Sequence, residues 1–169
     1  MKKVILAAIL VVTSLSSVKA QKIKYAVTAG YHNLTLKVSA GGFAASGGET
    51  GFYLGVSAEF QVAEKLSILP ELQYANSADN TLVIPIMAKY YVSEKFNLQA
   101  GPQLDLFLSA PAGFNSLGFG LGFGGGYDFS EKIYVTTRYS LGLSNRVENA
   151  PAGASIKFDT FQIGVGYRF

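Results

Sequence analysis

Two residue classes alternate without a break along Phe158-Asp-Thr-Phe-Gln-Ile-Gly-Val-Gly-Tyr-Arg-Phe169. Phe161, Ile163, Val165, Tyr167 and Phe169 fall on one face. Thr160, Gln162, Gly164, Gly166 and Arg168 fall on the other. A period of two means an extended strand, because successive side chains leave opposite faces. The same period recurs upstream. It predicts strands over Ile23–Tyr31, Gly51–Val62, Leu66–Tyr74, Leu82–Val92, Phe96–Leu108, Leu117–Phe129 and Ile133–Leu143. Strand six is the plainest: Leu117, Phe119, Leu121, Phe123, Tyr127 and Phe129 oppose Gly118, Gly120, Gly122, Gly124, Gly126 and Asp128. After Tyr31 the phase inverts, since Leu34, Leu36 and Val38 carry the apolar character. A bulge, or an extension beyond a membrane, accounts for that. Ala40–Thr50 is rich in Gly, Ala and Ser and reads as a mobile loop, with a second polar loop over Asn145–Lys157.

The connections are asymmetric. Ala63-Glu64-Lys65, Ser93-Glu94-Lys95 and Ser130-Glu131-Lys132 are tight turns at one end. The other end has connections near 38–50, 75–81, 109–116 and 144–157. Strands of roughly ten residues with short turns on one side and longer loops on the other describe an outer-membrane barrel of about eight strands. The phase follows from volume. An eight-strand interior holds only a thin column of side chains, too little for every large apolar residue. The apolar face therefore meets lipid, and the glycine face leaves room for inward Tyr53, Tyr91, Phe107 and Tyr134. Tyr25, Phe60, Tyr90, Phe96, Tyr127, Phe129, Tyr167 and Phe169 gather near the short-turn end as an aromatic girdle. The fold expected is all-β: a transmembrane, antiparallel, up-and-down barrel of eight strands, with short turns and both termini periplasmic. Pro70, Pro85 and Pro102 stand against it, because each removes a ladder hydrogen bond.

Composition changes the picture at the amino end. Lys2 and Lys3 precede the apolar run Val4–Val12, and Val18-Lys19-Ala20 suits cleavage. Residues 1–20 read as a cleaved secretory signal peptide, too short in its apolar core to span, and 21–169 as one barrel domain. The formal charge of +3 is carried by Lys2, Lys3 and Lys19, so the remainder is neutral and offers no argument for nucleic acid. Without cysteine there is no disulfide framework, lipid-anchored Cys or thiolate metal site.

Inward charges form a matched set: Lys24, Lys89, Arg138 and Arg168 against Glu59, Glu71, Asp105 and Asp128. Unpaired charge in a narrow barrel is costly, so the set predicts a cross-linked lumen rather than an open pore. Glu59 and Glu71 also suggest a paired acid–base site, but structural pairing with Lys89 and Arg138 is the stronger reading. His32, the one histidine, is placed near the outer rim, where a serine from a neighbouring loop could meet it; no spacing demands a catalytic pair. The Gly run at 118–126 is strand spacing, not a phosphate loop, and Asn33-Leu34-Thr35 is a chance glycosylation pattern. No catalytic, cofactor or metal residue is assigned, and the chain is read as a non-enzyme.

Several segments resemble the PorT-like outer-membrane β-barrel family of Bacteroidetes. They are Leu69-Pro70-Glu71-Leu72, Ile84-Pro85-Ile86 with Lys89-Tyr90-Tyr91, Gln99-Ala100-Gly101-Pro102-Gln103, Arg138-Tyr139-Ser140-Leu141-Gly142-Leu143 and Gly164-Val165-Gly166-Tyr167-Arg168-Phe169. The likeness covers all three prolines and implies that this barrel tolerates them. Val83 stands where that family often has an acidic residue. The resemblance implies an outer-membrane location, lipid as surroundings, and recognition of the last strand (Gly164, Tyr167, Phe169) by the barrel assembly machinery. The function expected is a small integral outer-membrane protein with a filled polar lumen. It would act in envelope integrity, or as a contact scaffold for an extracellular partner through loops 38–50 and 144–157. The alternative is a narrow transport route for small solutes or apolar molecules.

Overall fold

The computed structural model describes residues 23–77, 79–151 and 153–169. The leader expected over residues 1–20 lies outside them. The described regular elements are eight strands: β1 (Ile23–Ala40), β2 (Phe43–Ala63), β3 (Leu66–Asn76), β4 (Asn80–Tyr91), β5 (Phe96–Phe107), β6 (Leu117–Asp128), β7 (Ile133–Gly142) and β8 (Ser155–Arg168). Each pairs antiparallel with its sequence neighbour, and β1 pairs with β8 to close the barrel. Closure leaves no open edge within the barrel wall, which is what an apolar solvent demands of a sheet.

The two faces obey the alternation. Tyr25, Leu54, Val56, Leu98, Phe119, Ile163 and Val165 stand outward and exposed. Tyr53, Leu69, Val83, Met87, Phe107 and Tyr134 are buried inside. The inward glycines serve close approach. A Cβ on Gly30 would lie 2.2 Å from the Ile163 carbonyl oxygen, and one on Gly164 would lie 2.3 Å from the Tyr53 hydroxyl. The closing seam is therefore tight because both its strands lack a side chain there. At the short-turn end Tyr127 packs edge-on against Phe129, and Tyr167 against Phe169, with Lys132 over the Tyr167 ring.

The phase inversion after Tyr31 has a simpler cause than a bulge. β1 and β2 stay in one-to-one register from Ile23↔Phe60 to Ala40↔Phe43. His32, Leu34, Leu36 and Val38 continue the inward face, while Asn33, Thr35 and Lys37 continue the outward one. What changes is the solvent. Outward residues turn polar at Asn33, Thr50, Asn76, Asn80 and Asp159, each two residues from an outward aromatic or leucine on its strand. That row marks the upper limit of the lipid band. Ala40–Thr50 is accordingly not a loop: it is the top of a hairpin that runs on past the membrane. It turns at Gly41 and Gly42, whose φ values of 56° and 87° suit a two-residue hairpin turn. Its base is fastened on the outer face, where Asp159 accepts from Lys37, from the Tyr139 hydroxyl (2.5 Å) and from the Gly142 amide (3.1 Å).

The prolines fit by costing one flank each. The β2–β3 ladder skips from Ser57↔Glu71 to Phe60↔Ile68 beside Pro70, yet Pro70 pairs with Ile86 on its other side. Likewise the β3–β4 ladder skips beside Pro85, and the β4–β5 ladder beside Pro102, while Pro85↔Gln103 and Pro102↔Leu121 hold. A proline nitrogen faces only one neighbour, so the other ladder survives.

The lipid band can be tested directly, because the chain has no tryptophan. In bilayers of brominated lipid, the emission of a Leu98→Trp protein should be strongly quenched. A Thr35→Trp protein, outward but above the polar row, should keep nearly full emission. Equal quenching of both would place the boundary elsewhere.

Candidate functional site

The lumen is where the inward side chains converge. Near the short-turn end Arg168 donates to Asp128 (2.7 Å) and its guanidinium stacks on Tyr134 (4.3 Å). The Tyr91 hydroxyl bridges Glu59 (3.2 Å) and Asp128 (3.4 Å). Lys89 donates to Glu59 at 2.9 Å and is 2 % exposed. One level higher Arg138 donates to Glu71 (2.6 Å) and to Gln99 (3.0 Å). Gln73 also donates to Glu71 (2.5 Å). Above these lies a neutral amide layer. Gln162 donates to Gln73 (2.8 Å) and contacts the His32 Nδ1 (3.2 Å), while Ser140 donates to Gln103 (2.7 Å). Strand alternation aims each of these groups inward, and the cross-barrel partners come from strands that are not adjacent.

Two inward charges behave differently from the matched set. Lys24 lies directly opposite Glu59 in the β1–β2 register, but Glu59 turns to Lys89. Lys24 is exposed at the short-turn rim and joins none of the ion pairs found among the described residues. Water solvates it there, so it needs no buried partner. Asp105 finds its partner in Arg146, a residue of the 143–154 connection that local alternation cannot place. His32 also differs from expectation. It is 1 % exposed inside the barrel, not at a rim, and its hydrogen-bond contact is Gln162 rather than a serine or carboxylate.

Arg146 closes the long-loop end. It is buried at 2 % exposure and pairs with Asp105. It donates to the carbonyls of Asn115 (3.1 Å) and Ser116 (2.9 Å). Its guanidinium lies over Phe107 (4.9 Å) and Phe158 (5.8 Å). These two rings form an edge-on triangle with Phe114. The connections around it are tied to each other through the Phe114↔Val147 bridge and the Asn115 amide, which donates to the Arg146 carbonyl (2.7 Å). Gly118 makes the space: a Cβ there would sit 2.1 Å from the Arg146 guanidinium. At the opposite end the lumen opens into a polar vestibule of about 690 Å³, floored by Glu59 and Tyr91. Among the described residues no group of three or more His, Asp or Glu side chains is placed to hold a metal ion.

A closed barrel of eight antiparallel strands with an outward apolar band and a charged, cross-linked lumen is an integral membrane architecture. The family model of the outer membrane protein beta-barrel domain matches residues 75–169. The chain belongs to that family. Its matched part runs from the end of β3 through β8, and the location it indicates is the outer membrane. No curated protein sequence matches the chain. Among solved structures, Ail, the attachment invasion locus protein of Yersinia pestis, is similar at 14% identity with a TM-score of 0.52. That match covers 86% of this chain and 98% of Ail. Neisserial surface protein A is similar at 16% identity and the same TM-score, covering 86% of this chain and 97% of its own. At these identities the likeness is one of fold.

Proposed function

We propose that this family member is a barrel with a closed lumen that works at its surface, in envelope integrity and as a contact scaffold on the cell exterior. The observation that supports it most is Arg146: a loop arginine seated in the long-loop mouth, paired with Asp105 and packed on Phe107 and Phe158. Below it Arg138–Glu71, Lys89–Glu59 and Arg168–Asp128 cross the lumen at successive heights. In this reading the short turns face the periplasm, as in barrels of this class. Residues 1–20 serve as a cleaved export signal. The last strand, with Gly164, Tyr167 and Phe169, is the segment that the assembly machinery recognises, and lipid surrounds the band. The motifs at the three prolines and at the carboxy end support a place for the chain in the PorT-like branch found in Bacteroidetes.

A second reading, a narrow channel for small solutes, draws on the vestibule that reaches the Glu59–Tyr91 level from one side. Single-channel recording in planar bilayers separates the two. The parent protein should be silent. Arg146→Ala combined with Glu71→Ala should introduce steps of current, because it removes the outer stopper and one cross-strut. Steady conductance by the parent would defeat the closed-lumen reading and make transport the function.

A further inference from the structure

The barrel wall has no open edge, but the part of β2 beyond the membrane does. Toward β1, β2 is paired along its whole length, to Ala40↔Phe43. Toward β3 its first partner is Phe52↔Asn76. Among the described residues, the far side of β2 from Phe43 to Glu49 therefore presents a bare ladder of amides and carbonyls, roughly 20 Å long at the usual rise per residue. Every residue from Phe43 to Thr50 is exposed. A Cβ on Gly47 would meet nothing within 4 Å.

Exposed edges are ordinarily blunted by proline, lysine, bulges or shortness. This one has none of those devices. Phe43-Ala-Ala-Ser-Gly-Gly-Glu-Thr-Gly51 holds no proline and no basic residue, and its register with β1 is unbroken. Small side chains leave both faces of the edge open to approach. Its one charge is Glu49. The parity of the ladder can be read from Pro70. Its nitrogen faces β2, since that is the ladder which skips, so the backbone of Ala58 opposite faces β3. Counting back by twos, the amides of Gly48, Ser46 and Ala44 face the open side. The Asn33 side-chain amide, reaching from β1, donates to the carbonyl of Glu49 (3.2 Å), which agrees with odd positions facing β1.

We propose that the outer edge of β2, from Ala44 to Glu49, binds an extended segment of another protein by strand addition, with a basic residue of that segment against Glu49. This rests on the contact-scaffold reading and gives it a partner chemistry. A row of alternating donors and acceptors at strand spacing is matched by another peptide backbone. Backbone pairing supplies the affinity. The small side chains from Ala44 to Gly48 make the site tolerant of partner sequence except at Glu49.

The experiment uses the full protein extracted from outer membranes. The probe is a labelled synthetic peptide of alternating Val and Thr with one Lys, long enough to span Ala44–Glu49. Saturable binding is expected. It should weaken by about tenfold or more in Ser46→Pro, which removes an open-side amide without touching the β1 ladder. The paired variant Ser46→Lys with Gly48→Lys should do the same by charging the edge, and serves if the proline variant misfolds. The same peptide methylated at alternate amides should not bind. Equal binding by the methylated peptide, or unchanged affinity in an edge variant that retains its fold, overturns the proposal. So does absence of peptide binding. A cross-linked dimer of the parent that Ser46→Pro abolishes, without peptide binding, would overturn it in favour of a second copy on the edge. The bilayer recording reports on the lumen alone, so a leaky parent that still binds peptide would sink only the closed-lumen reading.

Discussion

Replacing Arg138 with alanine should destabilise the barrel by about 3–5 kcal/mol, seen as a lower urea midpoint of unfolding in detergent micelles. Arg138 is 3 % exposed and its partner Glu71 is 7 % exposed, so the variant leaves a carboxylate in mid-lumen without its cation. Gln73 still donates to Glu71, but one amide does not replace a guanidinium. The cost is that of an uncompensated buried charge, not the net worth of the pair. Removing both charges, as Glu71→Leu with Arg138→Met, should therefore recover most of the loss. Lys24→Ala is the matching control. Lys24 is exposed and joins none of the described ion pairs, so its removal should shift stability by less than about 0.5 kcal/mol. If Arg138→Ala unfolds like the parent, water reaches Glu71 freely. The lumen is then wetter than its packing indicates.

Gly30→Val should prevent folding altogether. The first atom of any side chain at Gly30 would lie 2.2 Å from the Ile163 carbonyl oxygen and 2.5 Å from the Gly164 Cα. These are backbone atoms of the strand that closes the barrel, so nothing flexible can move aside. The two strands would have to part at the seam, and parting exposes unpaired amides to lipid. The expected result is loss of the compact, heat-resistant band on a cold gel after refolding into micelles. Gly47→Val, in the hairpin above the membrane, should refold like the parent, since its Cβ would meet nothing within 4 Å. Efficient refolding of Gly30→Val would mean that β1 and β8 do not pair in the Gly30↔Gly164 register.

The contrast between those glycines also shows what could be read from residue order. Strand phase was legible wherever lipid enforces it. Over Leu117–Phe129 or Phe161–Phe169 every second residue must be apolar, a constraint that acts residue by residue and leaves its period in the chain. Above the membrane that constraint lapses. Asn33, Thr35 and Lys37 meet water, the faces exchange polarity, and Phe43–Gly51 carries no alternation at all. Those residues form a strand because the opposite strand of the hairpin supplies their ladder, which composition does not encode.

Alternation alone determined that Glu59, Glu71, Lys89, Asp105, Asp128, Arg138 and Arg168 point inward. It carries no information about height, or about which strands face one another across the lumen. Only the closed tertiary structure decided that Glu59 meets Lys89 rather than Lys24, its neighbour in the ladder. The same holds for His32, which reaches a glutamine inside the barrel rather than a serine at its rim. Arg146 is the plainest case. It lies in a connection with no period, and its burial depends on Gly118, Phe107 and Phe158 meeting around it from three separate strands. Face selection is a local property of the backbone, so sequence determines it. The pairing of groups distant along the chain follows from strand register and barrel closure, so only the folded structure decides it.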